Sequence, residues 1–138
     1  MKKISFLLIV VCMLTLISCK QETPLVELTS HKTVYSSDVE RIIVNWNNNS
    51  DETFYFGRLF TLVKKEKGEW VKVEPNTEDY AFTLDMLGVT PNKTTQLDYP
   101  MYMYTPLEKG EYRIVTNWYV GDYESSKQNP IYFEFEIE

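Results

Sequence analysis

Leu107-Glu108-Lys109-Gly110-Glu111-Tyr112-Arg113-Ile114 holds a turn and the start of a long strand. Gly110 can take the positive φ that a tight turn often needs. Behind it, Tyr112, Ile114, Thr116, Trp118 and Val120 alternate with Glu111, Arg113, Val115, Asn117 and Tyr119. A period of two marks a strand with one buried face, and the buried set begins at Tyr112. Tyr119 then falls on the outer face beside Val115.

The rest of the chain repeats this pattern in short pieces. Leu25 to Val34 reads as a first strand, and Val39 to Asn47 as a second with Ile42, Val44 and Trp46 on one side. Asn and Asp in Asn47-Asn48-Asn49-Ser50-Asp51 favour a turn. Thr53 to Phe56 starts a strand, which Gly57 interrupts as a bulge would. Leu59 to Lys65 resumes it, and Glu66-Lys67-Gly68 closes a hairpin onto Trp70 to Val73. Tyr80 to Leu87 reads as a short strand and then a turn. Thr90-Pro91-Asn92-Lys93 is a turn with Asn92 where a Gly often sits. A strand follows over Thr94 to Tyr99, then a turn or loop over Pro100 to Tyr104. Gly121 to Pro130 is a polar loop. Ile131, Phe133, Phe135 and Ile137 face inward on the closing strand, and Tyr132, Glu134, Glu136 and Glu138 face outward. Outward acids on a terminal strand discourage edge-to-edge association. Many short strands at regular spacing predict an all-β antiparallel sandwich of about seven to nine strands.

A family resemblance rests on these residues. Leu107, then Gly110, then Tyr112 resembles the tyrosine corner of immunoglobulin-like sandwiches. That motif implies a Tyr hydroxyl turned back onto the preceding loop. Val34-Tyr35, Ile42 to Asn48, Phe56-Gly57, Gly68-Glu69-Trp70, Gly110-Glu111-Tyr112-Arg113-Ile114 and Phe133 to Ile137 together resemble the bacterial immunoglobulin-like domain of cell-envelope lipoproteins. The resemblance implies a β-sandwich at the envelope and brings no catalytic residue. Family members often have Pro-Gly where this chain has Pro91-Asn92 and Lys109-Gly110. A weaker likeness, through Phe-Gly and Gly-x-Tyr, is to a family of bacterial intracellular proteinase inhibitors.

The N-terminus sets the expected location. Met1-Lys2-Lys3 precedes an apolar run from Ile4 to Ile17. A basic start and so short a run make a signal peptide, because a spanning helix needs about 20 apolar residues. Leu16-Ile17-Ser18-Cys19 resembles the lipobox of bacterial lipoproteins, which implies cleavage after Ser18 and lipid on the Cys19 sulfur. Residues 1–18 are then the signal peptide, 19–23 a lipidated Cys and short tether, and 24–138 the sandwich. Lys20 to Thr23 reaches only about 15 Å at full extension, so the domain sits close to its membrane. The expected place is the cell envelope, on the outer membrane if the cell is Gram-negative.

Charge and cysteine content narrow the function. Loss of Lys2 and Lys3 with the signal peptide takes the net charge from −6 to −8. Phosphate backbones attract the opposite sign, so no nucleic-acid partner is expected. The other cysteine, Cys12, leaves with the signal peptide, so no disulfide is available and packing must supply stability. One histidine, His31, cannot build an ordinary zinc site. Ser30, His31 and Asp38 lie near one another in sequence, but polar residues at a strand end are the simpler reading. Acid pairs such as Glu111 with Glu134 can face each other on neighbouring strands, and the charged face of a sheet makes such pairs common. No cofactor, metal or catalytic residue is expected, and the chain does not read as an enzyme.

Aromatic content is the unusual feature: ten Tyr, seven Phe and three Trp. Most must fill the core. Tyr102 and Tyr104 fall in one expected loop, Tyr123 in another, and Tyr119 on the outer face. Exposed Tyr gives rigid contact area at low entropy cost, so these four mark a candidate surface for a protein or polysaccharide partner. The expected function is a noncatalytic module tethered to the membrane through Cys19. The alternative is a proteinase inhibitor presenting a loop, with Tyr99-Pro100-Met101 as its candidate.

Overall fold

The computed structural model describes residues 23–138. Cys19 and the signal segment lie outside the described residues. Two sheets face each other. One is antiparallel, in the order β1 (Val26–Thr29), β3 (Arg41–Asn48), β8 (Thr94–Pro100). The other runs β2 (Val34–Tyr35), β10 (Asn129–Ile137), β9 (Gly110–Val120), β4 (Phe54–Gly57), β7 (Met86–Val89). A hairpin of β5 (Thr61–Glu66) and β6 (Glu69–Lys72) joins the second sheet through the β5–β9 pairing.

The expected first strand is in fact two strands, which brings the count to ten. Val26–Thr29 pairs antiparallel with β3, whereas Val34 and Tyr35 pair parallel with Glu136 and Ile137 of β10. The chain changes sheet between them. The Ser30 hydroxyl donates to the Ile43 carbonyl at 2.7 Å, and the Tyr35 hydroxyl to the Lys32 carbonyl at 2.8 Å. Tyr35 buries its ring edge-on to Phe135 at 5.8 Å. Alternation shows which face a residue takes but not which sheet receives it.

The inner faces interdigitate as the alternation predicts. Ile42, Val44 and Trp46 of β3 are fully buried, as are Leu62 and Ile114. Tyr112 and Phe133 are nearly so. Each large apolar side chain buried in full contributes about 1.5–3 kcal/mol. Trp46 stacks on Phe56 at 3.9 Å and 12°, and its indole N–H donates to the Tyr99 hydroxyl at 3.2 Å. Trp118 faces the core but is only partly buried, edge-on to Phe54. Val120, expected inside, is exposed at the end of β9, although its cross-strand partner Phe54 is buried.

The corner has the expected geometry. Gly110 has φ +150°, and a Cβ there would approach the Lys64 side chain at 3.2 Å. The Tyr112 hydroxyl donates to the Glu108 carbonyl at 2.6 Å, and Leu107 is buried beneath the turn. The expected turns also form. Lys67 and Gly68 both have positive φ, as a two-residue primed hairpin turn requires, and Asn92 takes φ 58°. Asn48, read as the start of a turn, ends β3 and is buried. Its amide nitrogen donates to the carbonyls of Glu52 at 2.8 Å and Val89 at 2.7 Å. Its amide oxygen accepts from the Ser50 N–H at 2.9 Å and the Ser50 hydroxyl at 2.7 Å.

Tyr80–Leu87 reverses the expected order. Residues 73–85 have no regular structure, and the strand comes last, as β7 against β4. Side chains hold the irregular part: Phe82 packs edge-on to Phe60 at 5.6 Å, and Arg58 grips Asp85. The strand interruption at Gly57 is as expected. Between the pairs Phe56–Trp118 and Thr61–Val115, the four residues 57–60 oppose the two residues 116–117. The Thr116 hydroxyl donates to the Leu59 carbonyl at 2.9 Å and pins the excess chain.

Two substitutions test these ties. Tyr112→Phe keeps the ring and should cost about 1 kcal/mol in chemical denaturation, the net value of one hydrogen bond. A change indistinguishable from zero would show that the corner bond does not hold the turn. Asn48→Ala strips four bonds and leaves buried backbone groups unpaired, so its loss should be about 2 kcal/mol or more. A smaller loss than that of Tyr112→Phe would contradict this account of Asn48.

Candidate interaction groove

The four tyrosines singled out in the sequence do not form one surface. Tyr102 and Tyr123 are exposed, at 56% and 58%. Tyr104 is buried, because the turn after β8 folds back onto the core. The Tyr104 N–H donates to the Met101 carbonyl and the Met101 N–H to the Glu40 carbonyl, both at 2.8 Å. The Tyr104 ring then meets Phe60 at 6.1 Å. Tyr119 does point away from the core, as its place in the alternation requires, yet only 3% of it is exposed. Its cross-strand partner Tyr55 lies 5.9 Å from it, and Tyr123 covers it edge-on at 5.4 Å. Alternation assigned the right side of the sheet; the loop and neighbouring strand supply the cover.

Tyr119 and Tyr123 line a groove of about 380 Å³ on the outer face of the larger sheet. Its floor is β9 from Thr116 to Tyr119. One wall is the bulge at Gly57-Arg58-Leu59 and the other is Thr83 to Met86, with Tyr123 and Gln128 at the mouth. The loop carrying Tyr123 is held by its own bonds. Gly121 has φ 86°, and the Ser126 hydroxyl donates to the Val120 carbonyl at 2.5 Å. The Ser126 N–H donates to the Asp122 carbonyl at 2.9 Å. Leu59, Leu84 and Met86 are exposed around the groove.

The charges in the groove neutralise each other. The Arg58 Nε donates to both Asp85 carboxylate oxygens at 2.9 Å, and the Thr83 hydroxyl donates to the same carboxylate. The Thr83 bond, and then the Arg58 contact, hold the Asp85 carboxyl below its ordinary pKa, so Asp85 stays ionised beside its cation. Arg58 and Thr83 also line a second groove, on the far side of the irregular segment, where Tyr102 lies. The sequence reading singled out neither Arg58 nor Asp85. The break at Gly57 was the one available signal, since excess chain in a strand displaces side chains from the ladder.

Elsewhere on the outer face, charged groups are matched locally. Arg113 lies between the rings of Trp70 and Tyr132, 4.0 and 3.8 Å from their centroids, and its Nε donates to Glu134 at 2.9 Å. Glu134 is therefore opposite Arg113 and not Glu111, which instead pairs with Lys65 at 2.7 Å. Ser30, His31 and Asp38 form no relay: Ser30 donates to the Ile43 carbonyl, and Asp38 accepts from Ser36 at 2.6 Å. Among the described residues no three His, Cys, Asp or Glu side chains gather as a metal site needs. Also among them, no helix is long and apolar enough to cross a membrane. Tyr99 and Met101 are fully buried, so the loop suggested for an inhibitor is not presented to a protease.

Burial acts on the core phenols. It pushes the Tyr104 pKa up to about 12 and that of Tyr99 higher still, although the Trp46 N–H opposes the shift at Tyr99. An unfolded Tyr ionises near pH 10. The stability gained by keeping these phenols neutral is present in full below about pH 10 and is lost as pH rises beyond it. Phenolate absorbance should therefore show a late fraction that ionises only as the fold is lost, and Tyr99→Phe should reduce it. Titration of every tyrosine in one step near pH 10, with the fold intact, would contradict the burial.

A family assignment follows from sequence and architecture together. No curated protein matches the chain. The model of the bacterial Ig-like domain family matches residues 22–135, nearly all of the described sandwich. With its tyrosine corner, its chain switch between sheets and its two packed sheets, this chain belongs to the bacterial Ig-like domain family.

Proposed function

We propose that the protein is a noncatalytic lipoprotein of the bacterial cell envelope, in which a lipid on Cys19 holds an Ig-like interaction or structural module on the membrane. One observation carries this reading. The lipobox-like Leu16-Ile17-Ser18-Cys19 stands immediately before the Ig-like domain, whose family match begins at residue 22. Several acyl chains, at about 0.8 kcal/mol per buried CH₂, anchor a protein far more firmly than one. The first strand begins at Val26, so the tether leaves little reach and the module works near the membrane surface. The net charge of −8 after cleavage favours neutral or basic partners over nucleic acid. Burial of Tyr99 and Met101 leaves the inhibitor reading without its loop.

Metabolic labelling with an alkyne fatty acid tests the anchor. The wild type should carry label and sediment with membranes, and Cys19→Ala should lose both. Retention of label and membrane association by Cys19→Ala would rule the anchor out.

A further inference from the structure

We propose that the groove beneath Tyr123 binds a neutral saccharide; the proposal rests on the interaction-module reading and supplies its ligand class. The volume of about 380 Å³ falls within the roughly 300–1,000 Å³ of small-ligand pockets. A sugar ring has two chemistries, a C–H face that packs on aromatic rings and a rim of hydroxyls that donate and accept. The groove offers both. Tyr123 presents an exposed ring held by the bonded loop, with Leu59 and Met86 adding apolar surface. Asn117 and Gln128 are exposed, and each amide carries paired donors and an acceptor that match neighbouring hydroxyls.

The charges select against other ligands. Arg58 and Asp85 are matched to each other, so the walls offer no net charge to a phosphate or an ammonium group. Four guanidinium N–H donors remain on Arg58 beyond the Nε bond, available to a hydroxyl at no cost to the ion pair. The acidity of the whole chain further disfavours a polyanion. A protein partner needs a contact of about 800 Å² per side, far broader than this cleft.

The full chain, in a detergent without a sugar head group, would be titrated with neutral homo-oligosaccharides of glucose, mannose, galactose, xylose and N-acetylglucosamine. At least one should shift the backbone amide resonances of Asn117, Tyr119, Tyr123 and Gln128 in a saturable way. Tyr123→Ala and Asn117→Ala should each weaken that binding by about tenfold or more. Asn117 is exposed, so its variant should keep the wild-type melting temperature. Tyr123→Ala uncovers Tyr119 and should lower the melting temperature, while the amide spectrum stays that of the folded sandwich. Tyr123→Phe should keep affinity within about threefold, because the ring face supplies the contact. No shift with any of these sugars, shifts at another face, or wild-type affinity in Tyr123→Ala would overturn the proposal. A photo-cross-linking residue in place of Leu84 separates that failure from failure of the module reading. Capture of a polypeptide without any sugar response would overturn the saccharide and leave an interaction module standing. Neither capture nor sugar response would overturn both.

Discussion

Trp46 stacked on Phe56 joins the two sheets of this sandwich. Trp46 comes from β3 in one sheet and Phe56 from β4 in the other, with ring centroids 3.9 Å apart. The indole N–H would be an unpaired donor in a dry core without the Tyr99 hydroxyl, so β8 is tied into the same contact. Phe54 and Trp118 extend the aromatic cluster toward one end of the sandwich. Interior packing is dense, so this cluster sets the spacing to which other inner-face side chains conform.

The groove is a consequence of that constraint. Phe54 and Phe56 must face Trp46, and Leu62 must also face the core. The chain between Phe56 and Leu62 contains more residues than the opposing stretch of β9 accommodates. The excess is pushed out at Gly57 to Leu59 and held by Thr116, while Phe60 packs back against the core. Arg58 and Leu59 thereby leave the sheet surface, and the irregular segment before β7 packs alongside through Asp85 and Phe82. A feature that disturbs the ladder also builds the concavity, which is why bulges recur beside binding sites.

Outside the groove, several charged residues of the larger sheet pair with one another. Arg113 between Trp70 and Tyr132 has little freedom to serve a partner, and Lys65 and Glu111 are paired nearby. Exposed ion pairs of this kind add little stability, about 0–1 kcal/mol. The cleft beneath Tyr123 combines one exposed ring with the exposed amides of Asn117 and Gln128.

Local pattern alone determined much of this protein. Alternation in β3, β9 and β10 identified Ile42, Trp46, Tyr112, Ile114 and Phe133 as core, since side chains in a strand point to opposite faces in turn. Backbone chemistry at Gly110, Gly68 and Asn92 located three turns, and the resemblance of the Leu-Gly-Tyr spacing to a tyrosine corner placed the Tyr112 hydroxyl bond on the preceding loop, where the Glu108 carbonyl accepts it. The tertiary structure decided what pattern cannot encode. It split the first strand between two sheets, because the pairing partner of Val34 lies at the far end of the chain, on β10. It buried Tyr104 under a turn and Tyr119 under Tyr123, because cover comes from segments whose position no local period reports. It also brought Arg58, Asp85, Asn117 and Gln128 to one groove from separate stretches of chain. Burial on a face is a property of neighbouring residues, but a site is a meeting of distant ones, and only the closed sandwich specifies that meeting.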